Sequence, residues 1–236
     1  MSEPDKLKSD PRRELWESLG LIEDWLGDGV RRERELPDFA AASEARVSLS
    51  AQARSGDSLE AIALEIEACR ACRLCEKRTR AVPGQGSHSP LAMIVGEGPG
   101  AEEDASGLPF VGPAGQLLDK MLSSIGLDRL SNCFIGNVVK CRPPKNRDPA
   151  PDEQAACLGY LRRQLALLRP KAILCVGRIA AQALLGTSDG VGKMRGAWRD
   201  FEGLSLLVTY HPSALLRDES YKRPAWEDLK TFRERL

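Results

Sequence analysis

Three side chains in this sequence have the type and setting for bond chemistry: Glu97, Asn137 and His211. A carboxylate can steady developing positive charge or orient a water. An amide can pair at once with a neighbouring carbonyl and N–H, as on a pyrimidine edge. An imidazole can donate to a group that gathers negative charge. Asn137 sits in the apolar run CFIGNVV (133–139), where an amide is costly to bury unless it is satisfied, so it either braces local backbone or reads a ligand. Gly96 and Gly98 of GEGPG (96–100) let a ligand approach the backbone closely. Their spacing, with Pro99 between, is not the dinucleotide fingerprint. Phe110 lies in the Gly/Pro-bounded loop GLPFVGPAG (107–115), where a ring beside a crevice could stack a base. The other histidine, His88, lies in a Gly/Ser/Pro loop and reads as surface.

The seven cysteines supply a second chemistry. Cys69-x2-Cys72 and Cys141-x15-Cys157 form two pairs able to close on one metal centre, either a structural zinc or a [4Fe–4S] cluster. Cys75 leaves the first pair ambiguous, because Cys72-x2-Cys75 is also a CxxC. Cys133 and Cys175 fall in apolar runs and read as small buried hydrophobes. The second pair would brace KCRPPKNR (140–147), where Lys140, Arg142, Lys145 and Arg147 crowd into eight residues stiffened by two prolines. Such a loop suits phosphate contact.

These groups need a scaffold that brings them together. LAMIVG (91–96), CFIGNVV (133–139), KAILCVG (171–177) and LSLLVTY (204–210) read as buried strands, separated by helical patterns at 114–127, 152–169 and 177–186. The alternation predicts an α/β fold: a three-layer α/β/α arrangement around a four-stranded, mostly parallel sheet. Ligands of such sheets bind beyond the carboxyl ends of the strands. Those ends read GEGPG, GNVVKC, VGR (176–178) and TYHPS (209–213), so Glu97, Asn137 and His211 should converge on one crevice.

Of 236 residues, 42% are apolar and 29% charged, with no uninterrupted apolar stretch long enough for a membrane span and no apolar signal core near the start. The expectation is a cytoplasmic, monomeric protein that uses no membrane. The net charge of zero divides unevenly, since residues 1–66 hold 9 basic and 15 acidic side chains and residues 67–236 hold 25 and 19. That split predicts an acidic extension (1–66) and a basic body (67–236) with an anionic partner. In the extension, Leu15, Trp16, Leu19, Ile22, Trp25 and Leu26 fall at helical spacing and could dock on the body or on a protein partner, or form a loosely packed surface helix. A polar Ala/Ser/Arg linker follows to about Gly56, and Asp57 or Ser58 could cap a helix leading to Cys69.

From about Ala68 onward the sequence resembles the family 4 uracil-DNA glycosylases, the iron–sulfur branch of their superfamily. The ordered motifs are C-x2-C-R-L with RTR (69–80), VGEGPGAEED (95–104), G-x-PFVG-x-AG-x-LL (107–118), GNVVKCRPPKNR-x-P (136–149), Cys157 and HPSALLR (211–217). The resemblance implies hydrolysis of the N-glycosidic bond of flipped-out deoxyuridine in DNA. It selects Cys69 and Cys72 over Cys75 and implies a [4Fe–4S] cluster completed by Cys141 and Cys157. It places Glu97 at the reacting sugar, Phe110 against the uracil ring, Asn137 on its Watson–Crick edge and His211 at its O2. Glu103 would crowd C5 and exclude thymine. Residues Pro212–Arg217 would press into DNA, through Ser213 and Arg217 and with Leu215 or Leu216 as the wedge. Residues 1–66 have no counterpart in the family.

Other readings differ in kind. A branch that traps the abasic sugar on a histidine of the basic loop is disfavoured, because KCRPPKNR has none. A change of substrate to hypoxanthine or other deaminated bases would keep the fold. A non-catalytic iron–sulfur module could bind DNA or a replication protein through the Trp-bearing arm, at odds with the joint presence of Glu97, Asn137 and His211.

Overall fold

The computed structural model describes Arg54 and residues 56–236. The Trp-bearing stretch and most of the linker lie outside the described residues. Six strands form one sheet in the order β1-β3-β2-β4-β6-β5. They are β1 (Gln85–Gly86), β2 (Ala92–Gly96), β3 (Cys133–Asn137), β4 (Ala172–Val176), β5 (Trp198–Phe201) and β6 (Leu204–Thr209). The four apolar runs become the parallel centre β3-β2-β4-β6. The expected four-stranded count is corrected to six, because β1 and β5 pair antiparallel at the two edges. Neither carries an apolar run: β1 is two residues long, and β5 exposes Arg199 and Asp200. Short, charged strands are how sheets blunt their edges.

The helices are α1 (Leu59–Ala68), α2 (Ala101–Ser106), α3 (Pro113–Ser123), α4 (Pro151–Leu168), α5 (Arg178–Leu185), α6 (Val191–Met194), α7 (Pro212–Arg217) and α8 (Lys222–Arg233). Alternate strand residues serve opposite faces. Ala92 and Ile94 meet Leu118 and Leu122 of α3 and Leu229 and Phe232 of α8. Met93 and Val95 meet Leu161 and Leu165 of α4 and Ala180 and Leu184 of α5. The sheet is therefore covered on both faces, the three-layer arrangement read from the sequence. No helix among the described residues is long and apolar enough to cross a membrane.

The chain runs from β2 to β3 on one side, then crosses to β4 on the other side of β2. This reversal opens a cleft at the carboxyl ends of the central strands, where open α/β sheets hold ligands. At the other end of the chain, α1 is capped by Ser58, whose hydroxyl accepts from Ala61 N. It packs Ile62 and Ile66 beside Ala81, Tyr160 and Leu167. Arg163 of α4 holds it there through Asp57 at 2.5 Å and Glu65 at 2.6 Å. The helix belongs physically to the body, although the charge division assigned most of it to the extension.

Candidate functional site

A crevice of about 550 Å³ lies at those strand ends, and Glu97, Gly98, Glu103, Phe110, Asn137 and His211 all line it. Three residues brought from positions 97, 137 and 211 share one wall system because parallel strands end at the same edge. Asn137 closes β3 with 1% of its surface exposed, and its Oδ1 has no hydrogen-bond partner. It is the one buried side-chain nitrogen or oxygen so left among the described residues. Such an acceptor is costly unless a ligand donor meets it.

Gly96 is the floor. A Cβ there would stand 2.5 Å from both Asn137 Oδ1 and Phe110 Cζ, so only glycine lets the ring and the amide close over β2. Phe110 itself has φ of 53°, left-handed backbone that a bulky residue adopts only when held. Two residues hold it. Arg129 donates to the carbonyls of Pro109 and Phe110 at 3.0 and 2.8 Å. Glu103 accepts from Val111 N and Gly112 N at 2.9 and 3.0 Å, and its other oxygen accepts from Gly100 N at 3.0 Å. Glu103 thus brackets the Gly-rich turn to the Phe110 loop, a task the sequence did not suggest. Arg129 gave no sequence signal either, since it reaches Asp119 ten residues away and backbone carbonyls about twenty residues away.

Glu97 is half-buried, and loss of water raises its carboxyl to about 7, with Asp148 adding to the rise and Arg178 opposing it. Arg178 and Asp148 pair across the crevice mouth at 2.5 Å. His211 is pushed down to about 4, first by burial and then by Arg217, while Glu103 pulls the other way. At neutral pH its ring is uncharged. Nδ1 caps α7 by accepting from Ser213 N at 3.1 Å and lies 2.8 Å from the Ser213 hydroxyl. The ring proton therefore sits on Nε2, which is left to donate. The His-Pro-Ser run is explained locally: cap, first-turn proline, capped amide.

The expected DNA-facing groups divide. Lys145 is exposed, and Arg142 donates to Asn146 at 2.8 Å. Arg217 is exposed at the crevice, and Leu216 is 53% exposed. Two expectations are corrected. Lys140 is 1% exposed, its ammonium donating to Gln164 at 2.8 Å, so it faces the interior and not phosphate. Leu215 is 2% exposed and packs in the core under α7, which leaves Leu216 as the protruding leucine. Arg147 lines the crevice but commits both Nη groups to Glu153 at 2.8 and 2.7 Å.

Glu153 went unnoticed in the sequence. It has no exposed surface, and Arg147, backbone N–H of Ala150 and Arg73 together hold its carboxyl down to about 2 against burial. Through it the segment after Cys72, the basic loop and the start of α4 are joined. Nearby, Cys69, Cys72, Cys75, Cys141 and Cys157 line one small cavity with Arg78, Lys140 and Tyr160. Arg78 Nη1 donates to Cys141 Sγ at 2.9 Å and Ala71 N to Cys69 Sγ at 3.5 Å. Among the described residues no three His, Cys, Asp or Glu side chains are grouped to hold a metal ion as they stand. The cysteines share a cavity without converging on a point. Cys133 and Cys175 are fully buried in β3 and β4.

A three-layer α/β fold with a polar crevice at its switch point and a cysteine-lined flank defines a class, and comparison gives it a family. The family model of the Uracil DNA glycosylase superfamily matches residues 83–230. The chain belongs to this superfamily. It is 41% identical over 186 residues to the type-4 uracil-DNA glycosylase of Archaeoglobus fulgidus, covering 75% of this chain and 93% of that one. To the type-4 enzyme of Sulfurisphaera tokodaii it is 43% identical over 187 residues, covering 75% and 84%. To that of Thermotoga maritima it is 41% identical over 176 residues, covering 73% and 91%.

Proposed function

We propose that the protein is a uracil-DNA glycosylase of DNA repair, which hydrolyses the N-glycosidic bond of deoxyuridine flipped out of DNA. The observation that carries this reading is the orphaned Asn137 Oδ1 on the crevice wall, an acceptor matched by the N3–H of uracil. A base inside a duplex cannot be reached, so it must be extruded, at a cost of a few kcal/mol. Phe110 would stack on the extruded ring, and the pinned carboxylate of Glu103 would be a fixed wall against the C5 methyl of thymine.

Cleavage of C1′–N1 leaves the electron pair on the base and positive charge on the sugar. Glu97, as carboxylate, would face that sugar and orient the water whose oxygen bonds to C1′, the water's proton leaving with the base. His211 Nε2–H, fixed by the Ser213 contacts, would donate to O2 as negative charge gathers there. A neutral donor suffices, because preorganised hydrogen bonds of this sort are worth roughly 10²–10³ in rate. Arg142, Lys145, Ser213 and Arg217 would hold phosphates, Arg147 would add a fixed charge, and Leu216 would fill the gap left by the base.

Cys69, Cys72, Cys141 and Cys157 would hold a [4Fe–4S] cluster, with zinc as the alternative occupant. The soft donor set fits, and the N–H groups aimed at Cys69 and Cys141 are the outer hydrogen bonds that metal-bound thiolates take. The group would be structural, tying the basic loop to the 69–72 turn. The body from residue 67 is the proposed catalytic unit, and residues 1–66 would be an acidic extension whose Trp-bearing stretch engages a protein partner.

The test is single-turnover cleavage of uracil-containing and thymine-containing oligonucleotides by anaerobically purified protein, with a visible spectrum of the same sample. Uracil release without thymine release is the expected result. No release from a brown, folded sample would overturn the glycosylase reading, and a colourless active sample would overturn the cluster.

A further inference from the structure

Beside the base-reading groups stands an aromatic pair, Tyr210 and Tyr221. Tyr210 leaves the end of β6 between Thr209 and His211 and lines the crevice. Tyr221, closing the 3₁₀ turn Glu219–Tyr221 that follows α7, stacks on it with centroids 4.5 Å apart and 25° between planes. Tyr221 keeps 36% of its surface exposed.

The stack is anchored from the interior. The Arg195 guanidinium lies 5.6 Å from the Tyr210 centroid and grips Asp228 through Nε at 3.0 Å and Nη2 at 2.8 Å. The same group donates to the Pro224 carbonyl. Asp228 has no exposed surface and also accepts from Thr209 Oγ1 at 2.8 Å. A chain of contacts thus runs from the sheet end through a half-buried ion pair to Tyr210 at the crevice and Tyr221 stacked on it. The inner ring is anchored by Arg195, and the outer ring stacks on it with part of its surface open.

We infer that the Tyr210–Tyr221 stack is a second base-binding surface, which takes the base next to the flipped uracil on the same strand. The inference rests on the glycosylase reading above. Extruding one nucleotide strips a stacking partner from its neighbour. An aromatic face supplies a replacement for any base, because every base has a π-face, and such stacking changes affinity roughly tenfold or more per base. The surface is continuous with the crevice through Tyr210. It serves single-stranded substrate most, since neighbours in a duplex keep one stacking partner and their pairing.

The experiment uses single-stranded oligonucleotides with one uracil, either fully based or with a baseless sugar 5′ or 3′ of it, in single-turnover kinetics across enzyme concentration. The wild-type protein should bind the strand lacking the relevant neighbour about tenfold more weakly. Tyr221→Ala should lose about tenfold on the fully based strand and nothing further on that baseless one, while Tyr221→Phe behaves as wild type. Equal binding of all three strands by the wild type would overturn the inference without needing any variant. So would a Tyr221→Ala loss that persists undiminished on both baseless strands. Wild-type protein that releases uracil from every strand, with Tyr221→Ala indistinguishable from it, removes the stacking surface alone. Wild-type protein that releases none removes the glycosylase reading and this inference with it.

Discussion

Glu97 and Glu153 are two glutamates in neighbouring regions of one molecule, and their surroundings drive their acidities apart. Glu97 is half-buried beside the crevice, has Asp148 near it, and is raised to about 7. Glu153 is fully buried beside the cysteines, yet two arginines and a backbone N–H hold it near 2. Burial acts on both in the same direction; partners decide the outcome. The same contrast separates Asn137, with its acceptor unmet, from Gln164, which accepts from Lys140 and donates to Pro83 O. The crevice leaves polar groups open for a ligand. The region beside the cysteines meets every polar side chain it buries, among the described residues, and so braces the loop that faces the crevice.

The comparison breaks first at Glu97. Glu97→Gln should lower the single-turnover rate by about 10²–10³, with the melting temperature unchanged or raised, because a carboxylate disfavoured by burial is gone. A large fall in melting temperature would show that Glu97 is structural. Glu153→Gln should do the reverse. It should cost about 2 kcal/mol, in the range for hydrogen bonds to a charged group, or roughly 4–8 °C in a domain of this size, read by thermal denaturation. The rate at saturating DNA should hold within a few-fold.

Acidity sharpens the contrast. The folded Glu97 pKa lies above its ordinary 4.5, so its contribution to stability is present below pH 4.5 and is lost as pH rises toward about 7. Glu153 lies below 4.5, so its contribution is present above that value and is lost as pH falls toward about 2. Denaturation across pH should show the first slope vanish in Glu97→Gln and the second in Glu153→Gln. The rate should climb through about pH 7 as Glu97 ionises, with no step from His211, whose ring is neutral above about 4. The smallest effect is on binding. Lys145→Ala should weaken DNA binding a few-fold and reduce the log–log salt slope by about 0.9, one phosphate's worth. Lys140→Met should leave that slope unaltered, and a change there would mean that the buried ammonium reaches the backbone.

The positions of Glu97, Asn137 and His211 were legible because apolar runs mark parallel strands and the polar residue that ends each run marks the shared edge. The central strands and the three helices between them were legible for the same reason of period. What escaped depends on partners distant in sequence. Arg73 meets Glu153 across 80 residues, and no local pattern distinguishes such an arginine from a solvated one. Lys140 belongs to a run that looks uniformly basic, yet the bend after β3 turns it inward to Gln164. The bracing role of Glu103 escaped as well, because its partners are backbone N–H groups. Helix α8, amphipathic and highly charged, hid its buried face of Ala225, Asp228, Leu229 and Phe232.

The Arg163 clamp has a consequence for how the chain is made. Glu65 and Asp57 meet Arg163 across 98 and 106 residues. At synthesis rates of about 5–20 residues per second, α1 leaves the ribosome roughly 5–20 s before its partner exists. A helix of ten residues is marginal alone in water, so Ile62 and Ile66 wait uncovered through that interval. The opening stretch of the body is thus secured only once α4 is complete, while the strands and helices from β4 onward are still to be made.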